Sequence, residues 1–184
     1  MQAILDACKA GRLAAVPAVV ISNNSESGAL QRARRENLPA YHLSNHTHPE
    51  PVALDQEILR VLRDHGVTLL LLAGYMRLLG PATLGAYRGR ILNIHPALLP
   101  KFGGLGMYGK RVHEAVLAAG DTVTGATVHL VDERYDSGPI LAQCEVPVLP
   151  GDTVDSLAAR VLVEEHRLYV DTIRKICDGT IRLD

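Results

Sequence analysis

The segment Val67-Thr68-Leu69-Leu70-Leu71-Leu72-Ala73 constrains the fold more than any other part of the chain. It is far too short to span a bilayer, and it is apolar almost throughout instead of alternating. A strand that buries one face alternates apolar and polar residues; a strand apolar on both faces must be covered on both. Gly66 and Gly74 bracket the run. A chain built around it needs a sheet with helices on each side, which is the α/β class with a mostly parallel, doubly wound sheet.

The remaining pattern fits that class. Pro17–Ser22, Tyr41–Leu43 and Arg90–Ile94 read as further short strands, while Thr124–Val131 and Ile140–Val146 alternate more and predict an antiparallel pair. Helical spacing marks Ala29–Glu36 and Val52–Asp64, the latter with Leu54, Ile58, Leu59 and Leu62 on one stripe and a stop at Gly66. Pro81 after Gly80 suits a first helical turn. Arg111–Ala119 stops at Gly120, and the longest helix runs from about Thr153 to Asp178, with Asp152 as N-cap and Gly179 as terminator. Met1–Ala10 is also helical, with Ile4, Ala7 and Cys8 on one face and Gly11 behind it. A doubly wound sheet ordinarily opens on a strand and a tight turn before its first helix. Neither stands ahead of this helix, so the expectation is one α/β domain over 1–184, N-terminally truncated, with the edge of a neighbouring strand left bare.

Composition narrows the function. With 184 residues, 47% of them apolar, the chain can bury one sizeable core. A formal net charge of −1, a single Phe and no Trp give no electrostatic or stacking case for nucleic acid, and none for an anionic membrane. Cys8, Cys144 and Cys177 are widely spaced with no C-x-x-C pair, which reads as reduced thiols of a cytoplasmic protein, and no signal-peptide pattern opens the chain.

Chemistry concentrates in a few places. Asn93-Ile94-His95-Pro96 stands at the C-terminal end of a predicted buried strand, the edge where open α/β sheets bind ligands. Residues two apart on a strand point the same way, so an amide and an imidazole could both donate to one oxyanion; the same two residues could equally tie down the following loop. Asp136, before the Ser137-Gly138-Pro139 turn, would alone be an Asx-turn or a solvated acid. Brought close to His95, it would orient the imidazole and raise its pKa. Gly104-Leu105-Gly106-Met107-Tyr108-Gly109 has the form G-x-G-x-x-G, but Pro96 and Pro100 separate it from the strand ending near Ile94, so it reads as a substrate loop rather than a dinucleotide fingerprint. His42, His46 and His48 read as a polar loop rather than a metal site. His113, His129 and His166 lack a pattern that demands a function, and Glu164 and Glu165 read as a solvated helix face.

Together, Ala73-Gly74-Tyr75-Met76-Arg77-Leu78-Leu79, Leu92-Asn93-Ile94-His95-Pro96-Ala97-Leu98-Leu99-Pro100, Thr124-Gly125-Ala126-Thr127-Val128-His129 and Asp136-Ser137-Gly138-Pro139 resemble, in order and spacing, the phosphoribosylglycinamide (GAR) formyltransferase family. The resemblance covers nearly the whole chain. It implies the formyltransferase fold, 10-formyltetrahydrofolate as co-substrate, the GAR amine as acceptor and a place in de novo purine (IMP) synthesis. It implies Asn93, His95 and Asp136 as the catalytic set. Met76, Arg77, Leu78 and Leu79, with Asp132, Glu133, Arg134 and Tyr135, would wall the folate pocket. Glu165 would hold the ribose hydroxyls of GAR, with Gly106 and Met107 in its binding loop. No metal is implied; the partners are small molecules, with a homodimer left open. The amine would attack the formyl carbon directly, with Asn93 and a protonated His95 stabilising the oxyanion and Asp136 keeping His95 charged. Formyltetrahydrofolate hydrolase and a truncated, non-catalytic folate-binding fragment are the alternatives. In two respects the chain departs from the resemblance. The family's first strand and Gly-Ser-Asn phosphate loop would precede Met1, which predicts GAR binding weaker by roughly 3–5 kcal/mol. No Lys or Arg lies between Arg35 and Arg60 to meet the folate glutamate tail.

Overall fold

A computed structural model describes residues 1–183. The elements are α1 (Gln2–Lys9), β1 (Val20–Ser22), α2 (Gly28–Arg35), β2 (Ala40–His42), α3 (Pro51–Asp64), β3 (Leu70–Leu72), α4 (Pro81–Ala86), β4 (Ile91–His95), α5 (Lys110–Ala118), β5 (Val123–Leu130), β6 (Ile140–Pro147) and α6 (Val154–Cys177). The α/β layering expected from the apolar run is present. β1 and β2 form a parallel pair; β3, β4, β5 and β6 form a second sheet in that order. β3 and β4 are parallel, and β5 and β6 continue the sheet antiparallel.

The period of two along the strands divides the core. Leu72 and Ile91 pack on one face of the larger sheet with Ile58, Leu59 and Leu62 of α3. Leu92 and Val128 pack on the other with Ala7 of α1 and Tyr169 and Ile173 of α6. Tyr169 is buried, and its hydroxyl lies 3.0 Å from the carbonyls of both Leu72 and Leu92, so α6 clamps β3 to β4 through their backbone carbonyls.

The two sheets do not join. A cavity of about 1310 Å³ separates them, lined by Val19 and Ile21 on one side, Leu70 and Leu72 on the other, and Ile4 of α1. Among the described residues, β1 and β3 each pair on one side only. That explains why the stretches expected to be strands over Pro17–Ser22 and Val67–Ala73 shrink to Val20–Ser22 and Leu70–Leu72: a strand with one partner has half the ladder to define its ends.

Two caps differ from the simplest reading. The N-cap of α6 is Thr153, whose Oγ1 accepts the Ser156 amide at 3.1 Å while Ser156 Oγ accepts the Thr153 amide at 3.0 Å. Asp152, the residue expected there, instead forms a two-pronged ion pair with Arg160 at 2.7 and 2.8 Å. The second cap comes from another helix. α4 has no side-chain cap of its own. The Asp55 carboxylate of α3, 5% exposed, accepts the Ala82 amide at 2.7 Å, the Thr83 amide at 3.1 Å and the Thr83 hydroxyl at 2.6 Å. Gly80 admits this approach, since a Cβ there would collide with the carboxylate. Asp55 thereby fixes the start of α4 and the 73–80 connection that leads into it.

Asp55→Ala is expected to lower unfolding stability by about 3 kcal/mol, because three donors lose a charged acceptor in a buried site. Urea denaturation measures it; a loss below about 1 kcal/mol would show that water replaces the carboxylate without penalty.

Candidate active site

β4 sits where the parallel and antiparallel parts of the sheet meet, and its last residues carry the chemistry. Asn93 and His95 lie on one face, two residues apart. The β4–β5 register sets Asn93 opposite His129 and His95 opposite Thr127, so four polar side chains share that face. β6 shifts register at Val128/His129, a bulge of the kind that re-aims a side chain beside a site. Thr127 is fully buried and holds the chain that follows His95: its hydroxyl donates to the Ala97 carbonyl at 2.7 Å and accepts the Leu99 amide at 3.1 Å and Gln143 Nε2 at 2.9 Å.

Asp136 reaches the same face from the connection between β5 and β6. That connection is pressed against β5 at Gly138, where a Cβ would collide with the Leu130 carbonyl. Asp136 itself has φ 53°, a left-handed conformation that Asp tolerates better than most residues. One carboxylate oxygen lies 3.5 Å from His95 Nδ1 and accepts the Gly104 amide at 2.9 Å; the other lies 3.5 Å from His129 Nε2. Burial alone would raise the Asp136 pKa. The His129 ring, the Gly104 amide and His95 outweigh it and hold the carboxyl below its ordinary value.

His95 is 3% exposed. Its Nε2 donates to the Phe102 carbonyl at 2.8 Å, which leaves Nδ1 toward Asp136. Phe102 has φ 57°, strained for a bulky residue, so the two loops that grip His95 each contain a left-handed non-glycine residue. Burial lowers the His95 pKa more than Asp136 and the Phe102 carbonyl raise it, and His129 lowers it further. The carboxylate acts in the direction expected, raising the pKa, but desolvation outweighs it and holds the ring below its ordinary value. His113 of α5, 5% exposed, is likewise lowered, first by burial and then by His95.

The other expected residues fall into groups. Met76, Arg77 and Leu78 are exposed on the 73–80 connection, Met76 by 55%, and this connection leaves β3 on the same side as the end of β4 because the two strands are parallel. Leu79 differs: its side chain turns inward and joins the core with Ile58 and Ile91, supporting the segment from beneath. Asp132, Glu133 and Arg134 are exposed and Tyr135 is half-buried; Asp132 accepts the Arg134 amide at 2.9 Å and the Ser137 hydroxyl at 2.8 Å, which shapes the turn before Asp136. Gly106 and Met107 lie on the loop between β4 and α5, whose Gly104 reaches Asp136. Glu165 lies on α6 beside the chain's amino terminus, and burial pushes its pKa up to about 7 against a lowering by that terminus. It is more buried than the solvated helix face expected for it. His42, His46 and His48 do not gather into a ligand set; among the described residues no group of His, Cys, Asp or Glu does so. Nor is any described helix long and apolar enough to cross a membrane. His129, to which the sequence pattern assigned no role, lies between Asn93 and Asp136, 3.1 Å from Asn93 Nδ2 and 3.5 Å from the Asp136 carboxylate.

Residues 1–173 match the formyl transferase family. The chain is 45% identical over 181 residues to the chloroplastic phosphoribosylglycinamide formyltransferase of Vigna unguiculata, covering 98% of this chain and 58% of that protein. It is 37% identical over 183 residues to the phosphoribosylglycinamide formyltransferase of Escherichia coli, covering 100% of this chain and 84% of that one. The chain thus spans less than two thirds of the plant relative and most of the bacterial one. The structure of glycinamide ribonucleotide transformylase 1 from Symbiobacterium toebii superposes with a TM-score of 0.92 at 44% identity, covering 100% of this chain and 84% of that one. The chain belongs to the formyl transferase family, in the branch that holds the phosphoribosylglycinamide formyltransferases.

Proposed function

We propose that this chain transfers a formyl group from 10-formyltetrahydrofolate to the amine of 5-phosphoribosylglycinamide, a step of purine synthesis. The observation that carries the reading is the convergence of Asn93, His95 and Asp136 at the C-terminal end of β4, beneath a glycine-rich loop. The kinship with enzymes of that name supports it. The expected compartment is the cytoplasm, although the plant relatives are chloroplastic.

Direct transfer asks for no nucleophile on the protein. The amine nitrogen bonds to the formyl carbon, and the carbonyl π electrons move to the formyl oxygen. The tetrahedral intermediate then expels the folate nitrogen, which takes a proton while the amine loses one, with a water as carrier. The protein must stabilise the oxyanion. Asn93 offers an amide N–H. His95 offers Nε2–H once the formyl oxygen displaces the Phe102 carbonyl as acceptor. Negative charge developing on that oxygen joins Asp136 in favouring the imidazolium, so the site gains its positive charge as the transition state needs it. Met76, Arg77, Leu78 and the 132–135 turn would line the folate, with Leu79 supporting them. Gly106, Met107 and Glu165 would meet GAR.

His95→Ala is expected to lower turnover by on the order of 10²–10³ with folate affinity little changed. Formyl transfer to GAR, run alongside formate release without GAR, measures it. Near-normal turnover would remove His95 from the mechanism, and formate release independent of GAR would point to a hydrolase.

In the ligand-free chain the His95 ring is expected to titrate below the ordinary histidine value of about 6.5 and to move upward when a tetrahedral adduct analogue binds. Asp136→Asn should lower it further. Histidine-selective NMR follows both; a His95 that is already charged at pH 7 without ligand, or unmoved by Asp136→Asn, would contradict the account.

A further inference from the structure

His129 is 2% exposed and has three polar neighbours. Its Nδ1 lies 2.8 Å from the Leu130 carbonyl, its Nε2 3.1 Å from Asn93 Nδ2, and the same Nε2 3.5 Å from Asp136. A carbonyl only accepts, so Nδ1 carries the proton. The nearer partner decides the role of Nε2: at 3.1 Å an amide N–H of Asn93 donates to its lone pair, while 3.5 Å to the carboxylate exceeds a hydrogen bond of useful strength. The Leu130 carbonyl thus selects a tautomer, and the tautomer selects which end of the Asn93 amide turns inward.

This matters because an asparagine side chain is nearly symmetric in shape but opposite in polarity at its two ends. Without a fixed partner, Asn93 could present its carbonyl to the developing oxyanion, which would repel it. The register that sets His129 opposite Asn93, and the bulge beside it, hold the acceptor in place. We infer that His129 is a positioning residue: it accepts one Asn93 N–H through Nε2 and thereby aims the second at the formyl oxygen of the substrate. This rests on the proposed formyl transfer, in which Asn93 is the oxyanion donor.

The test uses three variants. His129→Phe fills the space without an acceptor. His129→Gln sets a carbonyl oxygen near the position of Nε2, and His129→Asn sets one near Nδ1 instead. In substrate-free protein, the Asn93 side-chain amide is expected to show one hydrogen-bonded proton by NMR in the native chain and in His129→Gln, and none in His129→Phe or His129→Asn. Turnover should fall on the order of 10–10²-fold in His129→Phe and His129→Asn, with KM for both substrates held, and recover in His129→Gln. In an Asn93→Ala background, His129→Phe should change nothing further. An Asn93 amide unaffected by His129→Phe, a His129→Gln as slow as His129→Phe, or equal losses with and without Asn93 would each overturn the inference. The amide signal needs no substrate; if it behaves as expected while the unaltered chain transfers no formyl group, the proposed reaction fails and the positioning stands.

Discussion

A carboxylate taken out of water must find its hydrogen bonds and countercharge nearby, because the cost of leaving it without them is several kcal/mol. Asp136 accepts the Gly104 amide at 2.9 Å and has an imidazole nitrogen 3.5 Å from each of its oxygens. These partners come from different parts of the chain: β4, β5 and the glycine loop ahead of α5. This one carboxylate therefore ties three elements together. The left-handed backbone at Asp136 and Phe102 is tolerated because those contacts over-determine it.

The sheet supplies the frame for that contact. β4 is the hinge between a parallel neighbour and an antiparallel one. The parallel side brings the 73–80 connection to the same edge as His95, while the antiparallel side brings His129 and Thr127 across from Asn93 and His95. Tyr169 from α6 secures the two strands, and Asp55 from α3 secures the connection. The groove between β1 and β3 lies on the far side of β3 from β4 and β5.

Much of this was legible in the sequence because it rests on periodicity. The seven-residue apolar run called for helices on both faces, and the two-residue spacing of Asn93 and His95 called for a shared face. What local pattern could not supply was anything set by register or desolvation. His129 becomes important only through the residue opposite it, although the Thr127-x-His129 spacing repeats that of Asn93-x-His95 and was the available signal. For His95, a carboxylate neighbour is inferable from sequence, while the burial that opposes it is not. Asp152 looked like a cap until Arg160, two turns along the helix, claimed it. Asp55 sits 27 residues from the amide it caps, a separation that no window on the sequence spans.

The central claim is that Asp136 and His95 act as one unit in stabilising the oxyanion. A double-mutant cycle on turnover, using Asp136→Asn and His95→Gln, tests it most directly. If the pair is a unit, the doubly substituted chain should be no slower than the slower single variant, because removing either partner already disables the other. Losses that multiply, each substitution costing the same factor whether or not the other is present, would show two independent residues and contradict the account.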